Sequence, residues 1–148
     1  MQISTYLTPD SVLFLTETDK SQILETMCRH AADMNMVPGL DQFRTAILER
    51  EQIMSTGIGL QVAVPHAKIP GIADFFVLIG VTREAVNWDS IDKQPVRLVF
   101  MIGGPADRQS DYLKILSKIT LVIKNAGRRE ALLKAPDAQA ILAEFSEL

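Results

Sequence analysis

The chain has a single cysteine, Cys28, and only two histidines, His30 and His66. A lone cysteine forms no internal disulfide and no Cys-x-x-Cys metal pair. Two widely separated histidines without cysteine support make zinc a poor fit. The near-absence of thiols leans toward a reducing compartment. Runs of Lys and Arg are missing, and the net charge of −3 is spread over both signs, so a nucleic-acid partner is not expected. The longest apolar runs, residues 75–81 and 98–104, are far shorter than the ~20 residues a membrane helix needs. Met1 to Thr5 carries no basic stretch leading into an apolar one, so no secretory signal is read there. There is no GxxxxGK[ST] and no GxSxG. Gly57-Ile58-Gly59 lacks the third glycine of a dinucleotide loop and lies between a helix and a strand in the wrong order. The expectation is a cytoplasmic protein with no metal, no cofactor and no membrane insertion.

What is present suits one folded domain over residues 1–148. Apolar residues make up 47% and charged residues 22%, which is ordinary globular usage and excludes disorder. Val12 to Thr16 reads as a strand. Asp19 can cap a helix, with Gln22 at the capping-box position and Ile23, Leu24, Met27, Cys28 and Ala31 at helical spacing. A second helix starts near Asp41, with Phe43, Ala46, Ile47 and Leu48 as its stripe, and ends around Glu51 or Gln52. Ser55 to Gly59 reads as a glycine-rich turn. Val62 to Val64 reads as a short strand stopped by Pro65-His66. Residues 75–81 and 96–102 read as central strands, and the polar stretch 83–94 as an excursion at the sheet edge. A helix follows from about Ser110 to Lys124, with Leu113, Leu116, Ile119, Thr120 and Ile123 on one face. Two short helices close the chain, with Pro136 in the first turn of the second. The predicted fold class is α/β: a single-domain sandwich of a mixed β-sheet flanked by helices.

His66 stands out because it falls at a strand-to-loop junction, where a side chain is held firmly but still reaches solvent. Arg50 ends the helix before the 55–59 turn, and the following strand can return the chain beside it. A guanidinium fork near an imidazole suits phosphate better than metal. Gly57 and Gly59 permit backbone N–H groups to converge on an anion, and Ser55 and Thr56 add hydroxyls. The plainer reading is a helix-terminal arginine answering the helix dipole, followed by an ordinary turn. His30, Cys28 and Trp88 read as packing or half-buried residues, and Asp89 and Asp92 as a solvated turn.

The stretch from Arg50 to Gly59, continued by Val62-Ala63-Val64-Pro65-His66-Ala67-Lys68, resembles the signature of enzyme IIA domains of the bacterial phosphoenolpyruvate-dependent sugar phosphotransferase system. The resemblance is to the fructose, mannitol and nitrogen-regulatory class. It extends to Trp88 through Val96, Leu98 to Pro105 and Tyr112-Leu113-Lys114-Ile115-Leu116. It implies an α/β sandwich in which His66 accepts phosphate from an HPr-type phosphocarrier protein and gives it to a cysteine of a IIB domain. It also implies that Arg50 faces the phosphate and that Ser55, Thr56 and Gly57 line the same pocket. One position departs from the family pattern. Tyr112 stands where members usually carry a second histidine, and its hydroxyl can bond a phosphoryl oxygen but cannot become cationic. Two roles fit: a nitrogen-type regulatory phosphoprotein, which is preferred, or a component of sugar uptake. A binding module that has lost phosphotransfer is the third reading.

Overall fold

The computed structural model describes residues 2–148. Two short 3₁₀ turns, Ile3–Tyr6 and Pro9–Ser11, lead into strand β1, Val12–Leu15. The Asp19 carboxylate accepts the Gln22 N–H at 2.9 Å and so starts helix α1, Lys20–Asp33. Helix α2, Leu40–Ile53, follows Gly39. Three short strands come next: β2, Gly57–Gly59; β3, Val62–Ala63; and β4, His66–Lys68. The long strands β5, Phe76–Val86, and β6, Val96–Gly104, form the middle of the sheet. Helices α3, Gln109–Ile123, α4, Ala126–Lys134, and α5, Ala138–Ala143, close the chain.

The sheet is six-stranded and mixed, in the order β1-β5-β6-β3-β2, with β4 also on β6. β1 lies parallel to β5, and β3 and β4 lie parallel to β6. β5 and β6 are antiparallel, as are β2 and β3. Side chains alternate along the interrupted strand β3–β4. Ala63 and Ala67 join the core beneath α1 and α2, whereas Val62 and Val64 join the core beneath α3, α4 and α5. His66 continues the second set, which puts its ring on the α3 face.

The α/β sandwich is therefore as expected, but several local expectations are corrected. Gly57–Gly59 is a strand; the turn lies one step later, at Leu60 and Gln61, with φ of 59° and 65°. Positive φ at both central positions is the signature of a two-residue type I′ hairpin turn. Asp92 secures it by accepting the Leu60 N–H at 3.0 Å, so that carboxylate does more than face solvent. His66 begins a strand rather than ending one. Pro65 has no N–H to give the ladder, which breaks at residues 64–65 and resumes at His66. β5 runs on to Val86, where it still pairs with Val96, so residues 83–86 belong to the sheet. The rest of the supposed edge excursion folds inward, and Trp88 is fully buried. The buried stripe of α3 is Tyr112, Ile115, Ile119, Val122 and Ile123, while Leu113 is 53% exposed. On α2, Phe43 and Ile47 are buried and Leu48 is exposed. Pro136 lies before the α5 cap, Asp137, not in the first turn.

Candidate functional site

His66 is half-buried, and its Nδ1 lies 3.0 Å from the Val64 carbonyl oxygen. A carbonyl can only accept, so this contact assigns the proton to Nδ1 and leaves Nε2 as the unprotonated nitrogen. Burial holds the His66 pKa below its ordinary value of 6.5. The Val64 bond opposes this, the Arg50 and Lys68 charges reinforce it, and the Glu51 carboxylate weakly opposes it.

The ring opens on a cavity of about 290 Å³ at the edge of the sheet. Arg50, Ser55, Thr56, His66 and Tyr112 line it together, with Ile58, Ile91 and Leu116 as apolar walls. Gly57, the remaining residue expected there, is not among the lining residues. A wider depression of about 400 Å³ between residues 35–38 and 71–76 contains no histidine, so size alone does not pick the site.

Arg50 sits in the last turn of α2, and its Nη1 donates to the Met54 carbonyl at 2.9 Å. That is the helix-end role of the plainer reading. Among the described residues no other acceptor engages this guanidinium, so most of its fork is available to the cavity. Tyr112 comes from α3 on the opposite side, with its ring centroid 5.4 Å from that of His66. Burial raises its phenol pKa, so the hydroxyl stays protonated.

Ser55 and Thr56 line the pocket, and they and Gly57 are bonded inward. The Ser55 hydroxyl donates to the Trp88 carbonyl at 2.7 Å and accepts the Gly57 N–H at 3.1 Å. The Thr56 N–H and hydroxyl both donate to the Glu51 carboxylate, at 2.8 and 2.6 Å. The Trp88 indole N–H donates to the Thr56 hydroxyl at 3.2 Å. Gly57 has its own structural reason. A Cβ there would stand 2.9 Å from the Ser90 Cα, because the 87–95 loop crosses directly over it. A phosphate role for these three would require those bonds to be exchanged.

Sequence reasoning passed over Glu51, Lys20, Lys68 and Ile91. The Glu51 side chain is 6% exposed and pairs with Lys20 at 2.7 Å. The Lys20 ammonium also lies 5.4 Å from the Trp88 ring centre. Lys68 follows His66 on the same strand face, with its ammonium 4.6 Å from the Tyr112 ring centre. A usable signal existed in Glu51-x-x-x-x-Thr56, an acidic residue in a last helical turn where the dipole disfavours it. His30 and Cys28 have no place in the site. His30 contacts the Asp10 carbonyl, and Cys28 is buried with its thiol pushed up to about 12. Among the described residues no group of three or more His, Cys, Asp or Glu side chains converges to hold a metal, and no helix is long and apolar enough to cross a membrane.

Sequence and fold match a known class. The chain belongs to the phosphoenolpyruvate-dependent sugar phosphotransferase system EIIA 2 family, whose model matches residues 5–148. It is similar to a PTS system fructose-specific EIIA component of Haloferax volcanii, 32% identical over 96% of this chain and 94% of that protein. It is also similar to a nitrogen regulatory protein of Bradyrhizobium diazoefficiens, 31% identical over 95% of this chain and 92% of that protein. The crystal structure of nitrogen regulatory protein IIA-Ntr from Neisseria meningitidis is similar with a TM-score of 0.91 and 26% identity, over 97% of this chain and 99% of that one. The chain spans only 22% of the PTS system fructose-specific EIIABC component of Bacillus subtilis, a relative at 29% identity. The family places the chain among the phosphocarriers of the phosphotransferase system.

Proposed function

We propose that His66 accepts a phosphoryl group on Nε2 from an HPr-type phosphocarrier protein and either passes it on or holds it as a regulatory signal. The carrying observation is the bond from His66 Nδ1 to the Val64 carbonyl, which leaves Nε2 as the nucleophile beside Arg50. The lowered pKa keeps the ring neutral near pH 7, so no separate base is needed. As Nε2 bonds to phosphorus, the donor's P–N bond breaks and its electron pair returns to the donor nitrogen. His66 becomes positively charged, and the Val64 carbonyl stabilises that charge through Nδ1–H. Arg50 meets the charge spread over the equatorial oxygens, where phosphoryl transfer needs most help. The Tyr112 hydroxyl is a second donor to those oxygens. Exposed Met54, Ile58 and Ile91 at the pocket rim suit a protein donor better than a free sugar.

The nitrogen-type regulatory role is preferred, from the likeness of Ile91 to Val96 to that branch and from the fit to the IIA-Ntr structure. A sugar-uptake role, with a IIB cysteine as acceptor, is the second reading, and the Haloferax relative favours it. Incubation with enzyme I, the carrier protein and labelled phosphoenolpyruvate should give an acid-labile, base-stable adduct. His66→Ala should abolish it and His30→Ala should keep it. Label retained in His66→Ala removes His66 as acceptor, and no label on the unaltered chain returns the binding-module reading.

A further inference from the structure

The bond that orients His66 is the last link of a longer chain of bonds. The Glu51 carboxylate accepts the Thr56 N–H at 2.8 Å and the Thr56 hydroxyl at 2.6 Å. The Thr56 carbonyl accepts the Val64 N–H at 3.0 Å. The Val64 carbonyl faces His66 Nδ1, also at 3.0 Å. Val64 lies between β3 and β4, and its N–H is bonded to the Thr56 carbonyl and not to β6. Thr56 belongs to the short connection between α2 and β2, and Glu51 grips that connection at two points. Lys20 pairs with the same carboxylate at 2.7 Å, and both carboxylate oxygens accept from Thr56.

From this geometry we infer that Glu51 is a positioning residue for the phosphoryl acceptor, acting through Thr56 and Val64 to hold His66 with Nδ1 protonated and Nε2 free. Glu51 does not touch the reacting atoms. It rests on the phosphocarrier reading for its kinetic consequence, but not for its structural one. A buried acid one residue from Arg50 would otherwise oppose an incoming anion, and the Lys20 pair offsets that charge.

The test uses the whole chain and phosphoramidate, a small donor that brings no protein surface and releases ammonia when its phosphoryl group moves to imidazole. Glu51→Gln keeps the side-chain shape but leaves one acceptor oxygen for two Thr56 donors. The expected result is a fall in kcat of roughly 10- to 100-fold, the scale of a small misplacement of reacting groups, with KM changed much less. Nitrogen NMR of the His66 ring should show a larger Nε2–H population than in the unaltered chain. The His66 pKa should fall, because the Glu51 charge that raises it is gone while Arg50, Lys68 and the neutral Tyr112 phenol still face the ring. Thr56→Val cuts the hydroxyl arm and should move the tautomer and the rate the same way by less; Thr56→Ser should restore both. The inference is overturned if folded Glu51→Gln keeps the normal rate and tautomer, or loses rate with the tautomer unchanged. If Glu51→Gln does not fold, Thr56→Val and Thr56→Ser decide by the same criteria. If the unaltered chain takes no phosphate, the phosphocarrier reading has failed, and the tautomer comparison alone decides the role of Glu51.

Discussion

The two walls of the His66 cavity are built on different physics. The wall from α2 and its connection to β2 is backed by a bonded polar network: Lys20, Glu51, Ser55, Thr56 and Trp88 join in one largely buried set. The wall from α3 is packing. The Tyr112 ring lies tilted beside those of His66 and Phe75, and Leu116 and Thr120 continue the surface. Directional bonds fix positions to a few tenths of an ångström but are costly to leave half-made. Packing tolerates substitution of similar shape. The orientation of His66 and the helix-end cation therefore come from the bonded wall, and ring shape comes from the packed one.

Arg50 gives the largest expected effect and tests the bonded wall most directly. Arg50→Ala should slow transfer to His66 about 10- to 100-fold, the equivalent of a charged hydrogen bond of ~1.5–3 kcal/mol expressed in the transition state. Arg50→Lys should keep part of the rate, since charge survives and the planar fork does not. Melting curves taken alongside separate this from the helix-end role. If Arg50→Ala loses stability while its folded fraction transfers normally, Arg50 is only a cap for Met54.

The burial of His66 sharpens the comparison through pH. Its folded pKa lies below 6.5, so the unfolded chain binds the proton more readily. The stability His66 contributes is complete above 6.5 and is lost as pH falls through the folded value. Denaturant melts between pH 7 and 5 should show an acid decline that is smaller in His66→Ala. The transfer rate should hold below pH 6.5 and fall only when Nε2 is protonated. A titration of the ring at or above 6.5 would mean a wetter pocket than the bonded wall encloses.

The smallest effect belongs to the packed wall. Tyr112→Phe preserves the ring against His66 and removes one hydroxyl, so transfer should fall by less than about tenfold. Tyr112→His restores a group that can carry charge and should speed transfer or lengthen the life of the phosphorylated protein, measured by loss of label with time. A Tyr112→Phe loss as large as that of Arg50→Ala would erase the distinction between the walls.

Much of this was legible in the chain. The apolar runs gave β5 and β6, Asp19 gave the start of α1, and the ordered segment from Arg50 to Lys68 drew Arg50 and His66 together. The failures have physical causes. The α3 stripe was right at Ile119 and Ile123 but took Leu113 for Tyr112 and Leu116 for Ile115, because adjacent apolar residues look alike in sequence and only the packed sheet selects between them. Gly57 and Gly59 looked like a turn because glycine marks any backbone constraint. At Gly57 that constraint is the close crossing of Ser90, a segment far away in sequence.

Local order along the chain by itself determined the helices, the main strands, the class of fold and the pairing of a histidine with an arginine suited to phosphate. Spacing, propensity and residue chemistry act over a few neighbours, and those are printed in the sequence. Only the tertiary structure decided that Glu51 is buried against Lys20, that Trp88 bonds Thr56, and that Val64 hands its carbonyl to His66. Each of those depends on which donor meets which acceptor after the sheet closes. Desolvation then makes every unpaired group costly, and that cost selects one arrangement from many that the sequence alone allows.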